Sequence, residues 1–420
     1  MDEKPKILWK NVDNKYQYHV TISTIGSTIE SENVDESIVY IEDLEKRRQA
    51  YGICGECNEP GTGEKWCQSC NAKRFKNNFK NWTSGNKHID EFIQQSQLNA
   101  IHYKTCLEWI PFEKFQNVTY IAEGGYGKIY SAEWPEGHIK YWDIENQKWY
   151  RFIYKKYALK SSYNSSDICS DFLNEIKSHL QIYINDIVQC YGITQDLNNK
   201  EYMMVLYYCE IGNLRNYLNR SKNYINYKSK IDKLQQIARG LLDIHNVEKV
   251  HKYFYSGNIL FNDYYPFISD LEVLRGYQYT KAADIYSFGI VMNEFLSEEI
   301  PFNDIPHDEF LAIKICKGLR PTISEGVPKL LADLIVKCWN AEIKNGPTTK
   351  ELYQTLNEWN DEISEYSKNS EDNKDGDNSQ NNNNYTVQST SANPISECLD
   401  VQLSELELNE ICQDSEHNIE

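Results

Sequence analysis

The sequence predicts a protein that mixes strands and helices, an α+β chain of more than one unit, and three observations carry that reading. Alternating apolar residues flank a glycine cluster at 118–132, and a short apolar run, Tyr157-Ala158-Leu159-Lys160, follows it; both patterns mark strands. Residues 172–176 then take helical spacing. Ahead of the strands stand two Cys-x-x-Cys pairs, and behind the last helices runs an acidic, Asn-rich stretch, each unlike the middle in composition. At about 150 residues per domain, 420 residues accommodate two or three units.

Charge and composition narrow the classes. Hydrophobic residues make up 40% and charged residues 25%, as in a globular protein. Asp and Glu outnumber Lys and Arg by 62 to 44, a net charge of −18, which argues against broad nucleic-acid binding driven by phosphate neutralisation. No apolar run approaches the ~18 residues that would span a bilayer, and Met-Asp-Glu-Lys-Pro-Lys opens the chain without an apolar signal core. The expectation is a cytoplasmic chain with no membrane partner. The charge is uneven: residues 361–420 hold 15 acidic residues and 2 lysines, a net −13, which leaves −5 for the rest. Residues 370–384 are too polar to bury a core, so 360–420 reads as a disordered acidic tail. Within it Leu399, Leu403, Leu406 and Ile411 have partial helical spacing, a frayed transient helix or a docking segment.

From the start, residues 1–45 form a poorly defined segment, except that 38–48 has helical spacing with mixed charge. Residues 46–105 make the next unit. Cys54-Gly-Glu-Cys57 and Cys67-Gln-Ser-Cys70, nine residues apart, put four thiolates on two tight knuckles, with Gly61-Thr-Gly63 as the turn between them. Tetrahedral Zn²⁺ suits such a soft donor set in a structural site; a redox dithiol and unliganded thiols are the alternatives. Lys73, Arg74, Lys76 and Lys80 follow, either a solvated basic helix or part of a nucleic-acid ribbon. The scattered Cys106, Cys169, Cys190, Cys209, Cys316 and Cys338 read as small core hydrophobes, because a reducing compartment disfavours disulfides. Residues 86–101 form an amphipathic helix through Ile89, Phe92, Ile93, Leu98 and Ile101, and the main boundary falls at 105–112.

The following 250 residues hold the chemistry. Ala122, Gly124, Gly125, Tyr126, Gly127 and Ile129 lie in a strand–turn–strand hairpin whose glycines let a backbone approach phosphate oxygens closely; a plain hairpin turn explains them nearly as well. Lys160 ends the next apolar strand and Glu175 sits on the helix after it. Between Trp134 and Tyr157, a segment rich in Trp and Tyr (Tyr141, Trp142, Trp149, Tyr150) alternates with charged residues and reads as an extended hairpin that covers the sheet or offers an aromatic binding patch.

Further motifs follow in order: Met203 to Cys209 as a hinge strand, His251-Lys252-Tyr253 through Asn258-Ile259-Leu260 as a catalytic loop, Ile268-Ser-Asp270-Leu271, Asp284-Ile-Tyr-Ser-Phe-Gly289, Cys338-Trp339 and Pro347. In this arrangement residues 112–359 resemble a protein kinase domain of the tyrosine-kinase-like serine/threonine group, similar to fungal members in which a cysteine-paired segment precedes it. The resemblance implies a bilobal fold, an N-lobe at 112–209 with a five-stranded sheet and one helix, and a helical C-lobe at 210–359. It also implies ATP with Mg²⁺. Lys160 would hold the α- and β-phosphates and pair with Glu175; the glycine loop would cover them; Asn258 and Asp270 would bind Mg²⁺. Ala158 and Leu260 would sandwich adenine, with Leu206 to Cys209 at the hinge. Protein substrates or partners in signalling follow from the same resemblance, with no nucleic acid favoured.

Departures from the family pattern are equally specific. Tyr253 stands where the catalytic aspartate should be, and a phenol, protonated at neutral pH, is a poor base. After Asp270-Leu271 the chain passes straight to Glu272-Val-Leu-Arg-Gly276, so the glycine of Asp-Phe-Gly and the activation loop are missing. Thirteen residues separate Asp270 from Asp284; fully extended they reach ~46–50 Å, enough to close the lobe but too few for a peptide platform. A skipped exon would leave the same gap. Lys252 and Gly346, however, replace the two arginines that partner the missing segment in the family, although they are encoded elsewhere. The expectation is therefore a pseudokinase with weak or absent catalysis; an active Ser/Thr or Tyr kinase is the alternative, and retention of the nucleotide residues for packing alone is a third reading.

Overall fold

The computed structural model describes residues 8–10, 41–124, 127–161, 170–182, 186–196, 198–220, 226–271, 279–340 and 345–372. Outside them lie Gly125 and Tyr126, Cys169, residues 11–40 and 272–278, and the tail from 373 with Leu399, Leu403, Leu406 and Ile411.

Strand β1 (Leu8–Trp9) pairs with β2 (Gly52–Ile53), which directly follows helix α1 (Leu44–Tyr51). Of the stretch with helical spacing, 38–40 lie outside the described residues and α1 begins at Leu44, after Asp43, whose carboxylate accepts from Lys46 N at 2.8 Å. Gly52 permits the close β1–β2 approach: its φ is +81°, and a Cβ there would stand 2.4 Å from Leu8 O. Two turns follow, the first closed by Asn58 N donating to Cys54 O (2.9 Å) and the second by Trp66 N donating to Gly63 O (3.1 Å). Helix α2 (Gln68–Asn78) leaves the second turn carrying Cys70, and α3 (Lys87–Asn99) follows. Asn86 caps α3 by accepting from His88 N at 2.9 Å, and Ile89 and Ile93 are wholly buried, as the amphipathic spacing requires.

The upper lobe contains β3 (Glu108–Trp109), β4 (Gln116–Gly124), β5 (Gly127–Glu133), β6 (His138–Asp143), β7 (Lys148–Phe152), β8 (Tyr157–Ser161), α4 (Ser170–Gln181), β9 (Cys190–Gln195) and β10 (Tyr202–Tyr207). Its main sheet has six strands in the order β3-β9-β10-β8-β5-β4 rather than five. The additional strand is β3, drawn from the linker at 107–110 and pairing in parallel with β9 (Glu108↔Gly192, Trp109↔Ile193). Gly192 makes this possible, because a Cβ there would lie 2.2 Å from Glu108 O. β6 and β7 form a separate hairpin. Only its base covers the sheet, where His138 stacks on Tyr191 (4.2 Å between centroids); its outer rings lie on the cysteine module instead.

The lower lobe contains β11 (Gly212–Asn213), α5 (Leu214–Arg220), α6 (Tyr227–Asn246), β12 (Ile259–Phe261), β13 (Pro266–Ile268), α7 (Lys281–Ser297), α8 (Glu309–Cys316), α9 (Lys329–Cys338) and α10 (Thr349–Asp372). Its core joins α6, α7, α9 and α10 through Leu234, Leu241, Phe288, Phe295, Ile335, Leu352 and Leu356. Two expectations change here. Cys316 is exposed, because α8 buries only Leu311, whereas Cys106, Cys190, Cys209 and Cys338 are buried as expected. The helix also runs past 360 to Asp372, so residues 360–372 are not part of a disordered tail. Leu352, Leu356 and Trp359 anchor α10, and extending an anchored helix costs little until a breaker arrives; the first glycine comes at 376. No helix among the described residues is long and apolar enough to cross a membrane.

Candidate nucleotide cleft and cysteine centre

Strand β8 lies inside the sheet, with Lys160 opposite Ile129 of β5 on one side and Met204 of β10 on the other. This fixes the direction of a side chain that is almost wholly buried. Its Nζ lies 2.8 Å from Glu175 Oε1 on α4 and 2.5 Å from Asp270 Oδ1. Burial works against the ammonium, but Asp270 and Glu175 outweigh it and hold its pKa above the ordinary lysine value. Asp270 is likewise desolvated, yet the ammonium keeps its carboxyl below the usual range; at Glu175 burial wins and raises the pKa. Asp270 follows β13 with φ +55°, a left-handed backbone that non-glycine residues seldom adopt. Leu271 beside it is buried in the lower-lobe core.

The glycine hairpin forms: β4 pairs with β5 from Gln116↔Glu133 to Gly124↔Gly127, with Ala122 opposite Ile129. Gly127 has φ +141°, which favours glycine, and a Cβ on Gly124 would meet nothing within 4 Å among the described residues. Leu206 and Cys209 are buried in one apolar cluster, and Ala158 and Leu260, from opposite lobes, pack half-buried against it. The structure thus brings together the described residues expected around adenine.

Pairing of β12 with β13 (Ile259↔Ile268) sets Asn258 and Ser269 at one end of a hairpin, next to Asp270. Asn258 is buried; its Nδ2 donates to Tyr253 O (2.9 Å), and its backbone carbonyl accepts from Ser269 N (2.9 Å). Two oxygen-bearing side chains at one hairpin end suit a hard cation that keeps several waters and binds phosphate, as Mg²⁺ does. The loop carrying Tyr253 is pinned from below: Asp284 on α7 accepts from His251 N (2.7 Å), Lys252 N (3.0 Å) and His245 Nε2 (2.8 Å). His251 Nε2 lies 2.9 Å from Ser269 O. Tyr253 is half-buried, with Lys252 Nζ 5.4 Å from its ring centroid and 4.8 Å from that of Tyr279. The backbone of the loop expected to be catalytic is therefore fixed at His251 and Lys252, with Tyr253 next in line.

The sulfurs of Cys54, Cys57, Cys67 and Cys70 all lie within 4.8 Å of one another, with 3.9 Å between Cys54 and Cys70 and 3.6 Å between Cys57 and Cys67. Tetrahedral Zn–S bonds of about 2.3 Å separate sulfurs by about 3.8 Å, so the donor set fits. Hydrogen bonding from Cys67 lowers Cys54 to about 5, while burial pushes Cys70 up to about 12. Hydrogen bonding thus favours a thiolate at Cys54 while burial opposes one at Cys70, and a bound dication removes that conflict. Sequence reasoning missed what surrounds this centre. Trp66 is wholly buried and its Nε1 donates to Ala100 O at 2.7 Å, while Arg74 pairs with Glu56 and lies over the Trp142 ring. A tryptophan between two knuckles and a phenylalanine within a basic helix were the available signals. Lys73, Lys76 and Lys80 remain exposed.

Comparison with known proteins agrees with this geometry. The family model for protein tyrosine and serine/threonine kinases matches residues 115–271 and 265–356. Its two pieces meet at 265–271, where Asp270-Leu271 runs into the shortened segment. The chain is 26% identical over 259 residues to the probable serine/threonine-protein kinase roco8 of Dictyostelium discoideum, covering 50% of this chain and 14% of that protein. It is 25% identical over 278 residues to the serine/threonine-protein kinase VIK of Arabidopsis thaliana, covering 58% and 59%. To the putative serine/threonine-protein kinase/receptor R831 of Acanthamoeba polyphaga mimivirus it is 25% identical over 278 residues, covering 60% and 16%. The similar stretch spans less than two thirds of each of these relatives. With the family model matched over more than half its length and the Lys160–Glu175–Asp270 cleft between two lobes, the chain belongs to the protein tyrosine and serine/threonine kinase family.

Proposed function

We propose that this chain is an ATP·Mg²⁺-binding kinase-fold signalling protein with impaired phosphotransfer, a pseudokinase or scaffold that recruits protein partners in the cytoplasm. The observation that carries the reading is the contrast between the two halves of the cleft. Lys160 sits between Glu175 and Asp270 within hydrogen-bonding distance of both, as phosphate and Mg²⁺ binding needs, whereas the base position holds Tyr253. Asn258 and Asp270 would hold Mg²⁺, Lys160 the α- and β-phosphates, Gly124 to Gly127 the loop above them, and Ala158, Leu206, Cys209 and Leu260 the adenine. Bound nucleotide would order the two lobes and so act as a switch for partner docking. Cys54, Cys57, Cys67 and Cys70 would hold a structural Zn²⁺ that completes the small module.

Two observations favour a second reading, an active kinase transferring the γ-phosphate to protein: the relatives are named as serine/threonine kinases and the Lys160–Glu175 pair is closed. Calorimetric titration with Mg·ATP tests the binding claim. The wild-type chain should bind, and Lys160→Arg, which keeps the charge between Asp270 and Glu175 but changes its shape, should bind at least tenfold more weakly. No heat of binding in the wild type at millimolar nucleotide would reject the nucleotide role.

A further inference from the structure

Packing between the cysteine centre and α4 goes beyond a structural role for the metal. We propose that the cysteine centre positions the glutamate helix, so that metal binding at the four thiols and closure of the Lys160–Glu175 pair stabilise one common arrangement. This rests on the zinc and nucleotide readings above.

The connection can be followed side chain by side chain. Trp66 immediately precedes Cys67, and its hydrogen bond to Ala100 O ties the second knuckle to the end of α3. Phe75, on the same helix as Cys70, stacks on Trp149 with 4.8 Å between centroids and 16° between planes, and Trp149 stacks on Trp66 at 5.9 Å. Trp149 lies in β7, within the hairpin inserted between β5 and β8, so the upper lobe contributes one ring to a three-ring seam. Arg74 joins its guanidinium to Glu56 in the first knuckle and lies 4.3 Å from the centroid of Trp142, also on the hairpin.

On its other side the module reaches the cleft. Ile89 and Ile93 of α3 share one apolar cluster with Phe172 and Ile176 of α4. These two residues bracket Glu175, and positions 172, 175, 176 and 179 lie along one helical face, all of them buried. Lys177 Nζ stands 6.0 Å from the Phe92 ring centroid. Gln97 Nε2 donates to Leu107 O at 2.8 Å, and Gln189 Nε2 donates to Lys104 O at 2.6 Å, which fastens the segment after α3 beside the strand that follows α4. α4 is thus held by the sheet on one side and by α3 on the other.

Metal occupancy matters because the segment that carries the knuckles has only a small buried core of its own. Among the described residues from 44 to 82 the buried apolar set is Ala50, Tyr51, Cys54, Trp66, Cys67 and Phe75, of which two are thiol ligands. So small a core needs a staple, and metal binding there is folding free energy. Loss of the ion loosens the seam of Phe75, Trp149 and Trp66 that holds Trp66 against Ala100, with it the end of α3, and with α3 the backing of the helix that carries Glu175. Two ligands that stabilise one arrangement must raise each other's affinity by the same factor.

The test uses the full chain with Zn²⁺ bound, stripped by chelator and reloaded, its metal content followed by elemental mass spectrometry. Hydrogen exchange of residues 170–182 reads the helix without nucleotide; calorimetry with Mg·ATP reads the cleft. Stripping should speed exchange in that segment at least tenfold and weaken Mg·ATP at least fivefold, and reloading should reverse both. Trp149→Ala keeps every proposed ligand, so it should still bind Zn²⁺ and Mg·ATP, but neither should then affect the other; Trp149→Phe should retain the coupling. If Trp149→Ala does not fold, Arg74→Gln takes its place and should reduce the coupling. Zinc leaving with exchange and affinity unchanged would overturn the proposal, as would full coupling in the seam variant. A chain that takes up no Zn²⁺ overturns it through the zinc reading, which the metal content records separately. If Mg·ATP does not bind, helix exchange alone decides.

Discussion

Two side chains at the cleft, Tyr253 and His179, make residue-level claims that can be separated. On the proposed reading Tyr253 stands at the position of a base, and losing a general base typically forfeits ~10²–10⁴-fold. Tyr253→Asp should return part of that for transfer to water, seen as a slow rise in phosphate release. It should not yield peptide phosphorylation, because the segment after Asp270 is too short for a substrate platform. Peptide labelling by this variant would show that Tyr253 alone was the block. His179 lies buried four residues beyond Glu175, its Nδ1 2.8 Å from Val188 O and its Nε2 without a hydrogen-bond partner among the described residues. Burial lowers its pKa to about 4. Between the ordinary value of about 6.5 and 4 the unfolded chain takes up the proton and the folded chain does not, so stability falls as pH drops. From pH 7 to 5 this one group accounts for roughly 2 kcal/mol, or about 4–8 °C in Tm. His179→Gln keeps a donor for Val188 O and removes the titration; its Tm by circular dichroism should fall less over that range by about this amount. His138, lowered to about 3 chiefly by burial, continues to titrate in both proteins. Equal slopes would show that His179 is not buried neutral.

Among the elements, α3 ties local sequence to the cleft most clearly. Asn86→Ala removes its cap and should cost about 1 kcal/mol, whereas Ile93→Ala, at a position with no exposed surface, should cost about 2–5 kcal/mol in denaturant unfolding. An Ile93→Ala cost as small as that of the cap would mean α3 is not packed against α4. The sequence made this helix legible, because Ile89, Phe92 and Ile93 recur at helical spacing; it did not say that the apolar face meets α4, which is a long-range contact. The alternation in β6 and β7 was likewise readable as a hairpin, but its destination on the cysteine module depends on rings far apart in sequence, Trp66, Phe75 and Trp149. β3 has only two residues and exists by virtue of β9 beside it. The cleft residues were legible because backbone chemistry fixes their spacing and order: a glycine turn, a strand lysine, a helix glutamate and a hairpin ending in Asn258 and Asp270. Cys316 misled because apolar neighbours in α8 suggest burial, yet that helix turns most of its surface outward.

At the scale of the whole molecule, the lower lobe closes although the connection from Asp270 to α7 is short. Asp284 still reaches the backbone of His251 and Lys252, so the loop holding Tyr253 is anchored as it would be in a longer chain. The lower core ends at Leu356 and the half-buried Trp359. Deleting residues 373–420 should therefore leave Tm within about 2 °C of the full chain by calorimetry, no more than the shift expected from losing about 1 kcal/mol of packing. A drop of ten degrees would mean that the acidic tail packs on the body. The central claim is that the cleft holds nucleotide without efficient transfer. Single-turnover incubation of the full chain with γ-labelled Mg·ATP at saturating concentration tests it most directly. The account predicts label recovered as intact ATP, with none above background on the chain or on added protein substrates. Rapid labelling that disappears in Lys160→Arg would contradict it.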